Sequence, residues 1–122
     1  MRKAPIVIQQ FDNELDKKFK EYDADITNKV NILFKVSMKT CSACKSKTYL
    51  DSYEQIKKKY SSSIKFVELD VEKDIKLLAM LDILENAVPY MKLFSKGKLV
   101  DTYKGINIFK KLDDDIKKCQ IN

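Results

Sequence analysis

The sequence predicts an α/β fold in which a central mixed β-sheet is flanked by helices on both faces. Segments rich in β-branched and aromatic residues alternate with segments whose apolar residues recur every three or four positions, an order typical of strands joined by crossover helices. Near the C-terminus, two strand-like segments are separated only by the residues SKG, which predicts an antiparallel hairpin at one edge of the sheet.

Five segments are predicted to form strands, because each is a short run of apolar, mostly β-branched or aromatic residues bounded by polar ones. The run that contains the second strand is apolar almost throughout, which indicates a strand buried on both faces. The predicted strands are APIVIQQ (4–10), VNILFKVSM (30–38), IKFVELDV (64–71), PYMKLF (89–94) and KLVDTY (98–103).

Four segments show the apolar stripe of an amphipathic helix. The stripes are Phe11, Leu15, Phe19 and Tyr22; Tyr49, Leu50, Tyr53, Ile56 and Tyr60; Leu77, Leu78, Leu81 and Leu84; and Phe109, Leu112, Ile116 and Cys119. The predicted order is therefore β-α-β-α-β-α-β-β-α. Because the sequence has no repeat, no linker and only two glycines, we expect residues 1–122 to form a single domain.

The net charge of +6 comes almost entirely from lysine, since Arg2 is the only arginine among 24 basic residues. Surfaces that bind nucleic acid usually interleave arginine and aromatic residues, so we expect no nucleic-acid partner. Most of the lysines are interpreted as the solvated faces of helices. Their charge can also steer the protein toward acidic partners and so raise association rates.

The first residues, MRKAPIVIQQF, have a basic start but only three consecutive apolar residues, Ile6 to Ile8. A signal peptide has a longer apolar region, and no run in the chain approaches the length of a membrane span. We therefore expect a cytoplasmic protein in a reducing compartment, without a membrane partner.

The segment KTCSACKSK, residues 39–47, places Cys41 and Cys44 between the second predicted strand and the second predicted helix. Backbone N–H groups at a helix N-terminus favour an anion, so the thiolate of Cys41 would be stabilised there. Lys39, Lys45 and Lys47 add positive charge, and no acidic residue occurs between positions 36 and 50. Two cysteines spaced by three on one turn can also bond to each other, which would leave the first sulfur open to attack.

Such a cysteine pair has three common uses: a metal site, a structural disulfide and thiol redox chemistry. A structural zinc site needs four ligands, but the chain has three cysteines and no histidine, and an iron–sulfur cluster meets the same shortage. A structural disulfide that closes so small a loop stabilises little. A C-x-x-C motif between a strand and a helix is instead typical of redox chemistry, so no metal or other cofactor is expected.

Three motifs in this order resemble those of the thioredoxin superfamily. TCSACK corresponds to W-C-G-P-C-K of the family, AVPY to its segment with Val or Ile before Pro and Thr, and LFSKGKLVDTYKG to its hairpin and the glycine that follows. The resemblance covers nearly all of the chain. It implies a thioredoxin-like fold and a dithiol–disulfide oxidoreductase.

The resemblance also implies a role for each matching residue. Cys41 would attack a substrate disulfide, and Cys44 would resolve the mixed disulfide, leaving a Cys41–Cys44 disulfide. Pro89 would follow a cis peptide bond beside the cysteines. Val88 would offer its backbone N–H and C=O to an extended substrate, and Gly105 would leave room beside that groove. The substrates would be protein disulfides, a separate reductase or dithiol would recharge the protein, and it would act as a monomer.

The chain departs from the family at the site itself. Thr40 replaces the tryptophan before the first cysteine and would contact substrate, while Ser42 and Ala43 replace Gly-Pro. These changes alter the surface that substrates and reductases meet. A second hypothesis is therefore a non-enzymatic redox sensor or protein-interaction partner that keeps the fold and the cysteines.

A further implication of the resemblance concerns buried charge. The family places an aspartate six residues before the first cysteine and a facing lysine on the neighbouring strand, and here those positions hold Lys35 and Glu68. One interpretation is a buried ion pair of inverted sign, in which Glu68 takes the proton from Cys44. The alternative is that both side chains point to water.

Cys119, the third thiol, closes the apolar stripe of the last predicted helix. We therefore predict that it is a small core residue. The alternative is a surface thiol that forms an intermolecular disulfide.

Overall fold

The structure, a computed structural model, describes residues 3–121, and it describes side chains from residue 13 onward. Its helices are α1 (Lys3–Thr27), α2 (Lys47–Tyr60), α3 (Val71–Met80) and α4 (Phe109–Lys118). Its strands are β1 (Ile32–Ser37), β2 (Lys65–Asp70), β3 (Tyr90–Ser95) and β4 (Lys98–Lys104), and a single 3-10 turn (Ala43–Lys45) precedes α2. The predicted fold class is confirmed. The single domain over residues 1–122 stays a prediction.

The prediction of a first strand at residues 4–10 is wrong, because these residues form the start of α1. A short apolar run does not distinguish a strand from a helix by periodicity alone, and the helical pattern that follows continues back through it. Pro5 is compatible with this outcome, since the first turn of a helix needs no N–H donor. Among residues 3–121, the sheet therefore has four strands and not five.

The sheet has the strand order β2-β1-β3-β4. The β1–β2 pair is parallel, and it is joined by α2 in the expected crossover. The β1–β3 and β3–β4 pairs are antiparallel, and β3 and β4 form the predicted hairpin around Gly97, whose φ of 82° suits glycine. β1 is thus a central strand, and β2 and β4 are the edges among the described residues.

Two layers of helices cover the sheet, and each has its own apolar cluster. On one face Leu33 of β1 packs with α2 and α4, through a set that includes Tyr49, Tyr53, Ile56, Leu112 and Ile116. On the other face Ile32, Phe34 and Val36 pack with α3 and α1, through a set that includes Leu77, Leu78, Phe19 and Tyr22. Successive side chains of a strand point to opposite faces, and both faces of β1 are covered, so its residues 32–36 are all buried.

Cys119 follows the last residue of α4 and is half-buried against the cluster formed by α2 and α4. The predicted core position is therefore reached only in part. Its thiol is free, and it contacts the core at the rim.

Asp113 of α4 joins this helix to α2. It accepts hydrogen bonds from the hydroxyl of Tyr60 and from Lys59 Nζ, the latter at 3.1 Å, and it forms an ion pair of 3.0 Å with Lys117. Partial burial raises the pKa of Asp113, but the hydrogen bonds from Tyr60, Lys117 and Lys59 outweigh it and lower that pKa to about 2. The ionised carboxylate therefore stabilises the packing of α2 on α4.

We predict that Asp113→Asn lowers the free energy of unfolding by about 1–2 kcal/mol at pH 7, because it weakens charge-assisted hydrogen bonds. The stabilisation is present above the unfolded-state pKa, about 3.9, and is lost as the pH falls toward 2, through the lowered pKa of the folded state. Urea unfolding between pH 2.5 and 7 measures this. Asp114→Asn is the matched control, since within residues 13–121 Asp114 pairs only with the exposed Lys110, and an equal loss in both variants would contradict the prediction.

Candidate active site

Cys41 and Cys44 follow the C-terminal end of β1, as predicted, but they do not lie on the first turn of α2. Cys44 belongs to the separate 3-10 turn, and Ser46 then adopts an extended conformation with ψ of 140°. The hydroxyl of Ser46 accepts a hydrogen bond of 3.3 Å from the backbone N–H of Tyr49 and caps α2. The cysteines therefore occupy a short turn of their own, between the central strand and the capped helix.

A disulfide joins Cys41 and Cys44, whose Cα atoms are 5.3 Å apart. The two residues differ in accessibility, since Cys41 is half-buried whereas Cys44 is only 4% exposed. The backbone N–H of Cys44 lies 3.1 Å from Cys41 Sγ and is directed at it. Cys41 is thus the sulfur that a partner molecule can reach, and a backbone donor is already in place for negative charge on it.

The segment before β3 ends beside the end of β1. Val36 of β1 pairs with Tyr90 of β3, and the Val88–Pro89 peptide bond, directly before Tyr90, is cis. The backbone N–H of Gly105 donates a hydrogen bond of 2.9 Å to the Pro89 carbonyl. Pro89 is buried and Val88 is half-buried. The register of the sheet therefore brings the segment around Pro89 next to the C-terminal end of β1, from which the cysteine segment emerges.

Gly105 has a φ of 90°, a conformation that favours glycine, and a Cβ atom placed there would meet no other atom within 4 Å. The glycine is therefore required by the backbone, and the space beside it is open. Thr40, directly before Cys41, is exposed.

The loop between α3 and β3, residues 81–89, is held to the sheet by a buried lysine. Lys92 of β3 is 5% exposed, and its Nζ donates to Glu85 Oε2 at 2.7 Å and to the Thr102 hydroxyl at 3.0 Å. The other carboxylate oxygen of Glu85 pairs with Lys104 Nζ at 3.0 Å. Hydrogen bonds from both lysines lower the pKa of Glu85. This contact fixes the loop that leads into Val88 and Pro89.

The hydroxyl of Tyr90 fixes the same loop from within the core. It donates to the Ile83 carbonyl at 2.8 Å and accepts from the Glu85 N–H at 3.2 Å. Burial is the main reason why the pKa of Tyr90 is raised, so the hydroxyl stays protonated and can keep its donor role.

The ion pair between Lys35 and Glu68, one of the two interpretations of the sequence, is absent, although the two residues do lie side by side on neighbouring strands. The two residues are Cα partners in the parallel β1–β2 pair, and Lys35 is 6% exposed. Glu68, however, is exposed on the edge strand, and its carboxylate lies 3.6 Å from Lys57 Nζ on α2. The prediction of a buried ion pair is therefore wrong, because only Lys35 is buried and Glu68 is exposed. A role for Glu68 or Lys35 in proton transfer stays a prediction.

Lys35 Nζ instead lies over two aromatic rings of α2, at 5.0 Å from the ring centre of Tyr53 and 5.8 Å from that of Tyr49. Such cation–π contacts compensate in part for the loss of water around a buried ammonium group. Burial raises the pKa of Tyr49 to about 12, and burial together with the nearby Glu68 also raises that of Tyr53. Both rings therefore stay neutral beneath the charge.

Comparison with known proteins agrees with this arrangement. The thioredoxin family model matches residues 13–118. The chain belongs to the thioredoxin family. No significant match was found among curated protein sequences.

Solved thioredoxin structures share the fold. Mitochondrial thioredoxin 3 of Saccharomyces cerevisiae, in its oxidised form, is 20% identical over 81% of this chain and 88% of its own, with a TM-score of 0.66. Thioredoxin of Plasmodium falciparum gives 24% identity, 81% and 91% coverage and a TM-score of 0.64. A solution structure of oxidised thioredoxin from the same parasite gives 25%, 81%, 89% and 0.61.

The cysteine motif, the Val88–Pro89 segment and Gly105 thus lie together near the C-terminal end of β1, whereas the hairpin turn lies at its other end. Sequence reasoning missed the pairing of Glu85 with Lys92 there. A signal was present, because a lysine within the otherwise apolar run PYMKLF indicates a buried cation that needs a partner. Among the described residues, no group of three or more potential ligands could hold a metal ion.

We predict that, in the reduced protein, iodoacetamide alkylates Cys41 first. Cys41 is accessible and faces a backbone donor, whereas Cys44 is buried, so we expect a rate difference of about tenfold at pH 7. Timed alkylation followed by peptide mass spectrometry measures both rates. Cys119 serves as an internal reference without that donor, and faster labelling of Cys44 than of Cys41 would contradict the assignment.

We also predict that Glu85→Gln lowers the free energy of unfolding by about 2 kcal/mol, because Lys92 would remain buried without a carboxylate. The contribution of Glu85 exists above its unfolded-state pKa, about 4.3, and is lost as the pH falls through the lower folded-state pKa. Thermal and urea unfolding measure the change. Glu54→Gln, at an exposed position of α2, is the control, and adding Lys92→Met to Glu85→Gln should recover stability. No recovery would show that the pair is not the cause.

Proposed function

We propose that this protein is a thiol–disulfide oxidoreductase that reduces or exchanges protein disulfides through Cys41 and Cys44. One observation carries the proposal. The two cysteines form a disulfide in which Cys41 is accessible and Cys44 is buried, at the end of the central strand and beside the segment of Pro89. Membership of the thioredoxin family supports the same chemistry.

In the reduced protein, the Cys41 thiolate attacks one sulfur of a substrate disulfide. A mixed disulfide forms, and the other substrate sulfur leaves as a thiolate that takes up a proton. Cys44, having lost its proton, then attacks Cys41 Sγ. The Cys41–Cys44 disulfide forms and the second substrate thiol is released. Two electrons have moved from the protein to the substrate, whose two thiols carry one proton that Cys44 lost and one taken from solvent, so the exchange itself needs no bound cofactor.

The backbone next to the cysteines suits an extended substrate. Val88 is half-buried and precedes Pro89, whose carbonyl is already bonded to Gly105. The N–H and C=O groups of Val88 would pair with the substrate as an added strand, and the open space beside Gly105 would admit its side chains. Thr40 would contact the substrate from the other side.

Reuse of the site requires a source of electrons. A separate reductase or a small dithiol would attack the Cys41–Cys44 disulfide and return it to two thiols. We expect this cycle to run in the cytoplasm, where thiols are kept reduced. We also expect the protein to act as a monomer, without nucleic-acid or membrane partners. No helix among residues 3–121 is both long and apolar enough to cross a membrane.

A second candidate function is a non-enzymatic redox sensor or interaction partner that uses the same disulfide. The observation that favours it is the exposed Ser42-Ala43 pair, which stands where the family has Gly-Pro and changes the surface around Cys41. Such a protein would cycle between its two oxidation states without turning over a substrate.

Insulin reduction with dithiothreitol distinguishes the two candidates. We expect the protein to accelerate precipitation of the insulin B chain, Cys41→Ser to abolish this, and Cys44→Ser to accumulate insulin disulfide-linked to Cys41. Cys119→Ala is the matched control and should retain full activity. A protein that forms and loses its own disulfide but does not accelerate insulin reduction would favour the sensor.

A further inference from the structure

The segment that carries the cysteines, residues 36–50, has positive charge that no carboxylate of its own offsets. Lys39 and Lys45 flank the pair and are exposed, and neither forms an ion pair with any of residues 13–121. Lys47 differs, because Asp51 neutralises it at 2.7 Å. The absence of acidic residues from positions 36 to 50 means that no carboxylate of this segment offsets the two free charges.

The opposite side of the site is also positive. Tyr90 pairs with Lys104 at the end of β4, so Lys104 lies beside the segment that contains Pro89. Glu85 is shared between Lys104 and the buried Lys92, which leaves this group of three with a net charge of +1. Lys104 is the more accessible of the two lysines, with 57% of its side chain exposed. A substrate between the two sides would therefore meet positive charge on both.

Two partly exposed apolar residues lie near Pro89. Val88 is half-buried. Ile106 is 38% exposed and follows Gly105, whose N–H donates a hydrogen bond to the Pro89 carbonyl. An extended segment paired with the backbone of Val88 would thus meet apolar side chains near Pro89 and lysines on either side. Hydrophobic contact at the centre and charge at the rim is the usual arrangement of a binding surface.

We propose that this site selects disulfides whose neighbouring residues are acidic, with Lys39, Lys45 and Lys104 as the specificity-determining residues. The proposal rests on the proposed function and names its substrate class. Rim charges of this kind act mainly on the association rate and discriminate against partners of like charge. Their effect decreases with salt, because the screening length falls from about 10 Å at 0.1 M to about 3 Å at 1 M.

The experiment compares two synthetic peptides of equal length, each with one internal disulfide, flanked either by aspartate and glutamate or by lysine. Pre-reduced protein is mixed with each peptide and quenched with acid, and mass spectrometry gives the second-order rate constant of reduction. Uncharged hydroxyethyl disulfide is the third substrate. Its rate constant reports the reactivity of the Cys41 thiolate, which the same lysines also influence. Dividing the rate constant of each peptide by that of hydroxyethyl disulfide therefore isolates the recognition of the peptide.

We expect the wild-type protein to reduce the acidic peptide about tenfold faster than the basic one at low salt, and the ratio to approach one in 1 M NaCl. Lys39→Glu combined with Lys45→Glu should lower the ratio at least tenfold. Lys58→Glu combined with Lys98→Glu makes the same change in net charge and should preserve it. Lys58 lies in the C-terminal half of α2, and Lys98 lies at the far end of β4 from Lys104.

A wild-type ratio near one would overturn the proposal. An equal fall of the ratio in both double variants would also overturn it, because the net charge of the protein and not the site would then be responsible. If the wild-type protein reduced none of the three substrates, the proposed function itself would be overturned. Reduction of hydroxyethyl disulfide without discrimination between the peptides would overturn only the substrate class.

Discussion

The burial of β1 on both faces and both edges is the constraint on which the rest of the structure depends. The strand pairs with β2 and β3, and its side chains enter both apolar clusters. A strand held in this way cannot shift its register without exposing one cluster to water. Whatever leaves its C-terminal end therefore leaves at a fixed position. The cysteine turn emerges there, and the β1–β3 register sets Pro89 beside it.

Much of this arrangement could be predicted from the sequence because it depends on local patterns. Periodicity identified α2, α4 and four strands closely, and α1 and α3 only in part, since Leu81 and Leu84 of the third predicted stripe lie beyond the end of α3. The resemblance of C-x-x-C and Val-Pro to thioredoxin motifs identified the candidate site. The failures have physical reasons. At Ile6 to Ile8 a run of three β-branched residues suits a strand, but no strand forms within residues 3–121 before Ile32. The environment of Glu68 depends on which strand lies at the sheet edge, and that is a property of the whole fold.

Two buried lysines in neighbouring strands show how differently one residue type can be accommodated. Lys92 meets a carboxylate and a hydroxyl, and thereby fixes the loop before Pro89. Lys35 meets the faces of two tyrosine rings. The first solution links distant segments of the chain and contributes to the shape of the site. The second keeps a positive charge beneath the helix that follows the cysteines, at a position where the family has a negative one.

The place of β4 at the edge of the sheet bears on how copies of the protein meet one another. An edge strand presents unpaired N–H and C=O groups, which can pair with the edge of another molecule and extend the sheet. Here lysines stand at both ends of the strand, Lys98 and Lys104, and both are exposed. Two copies aligned edge to edge would bring these charges together. The same residue type that surrounds the cysteines thus also disfavours pairing of two copies through β4.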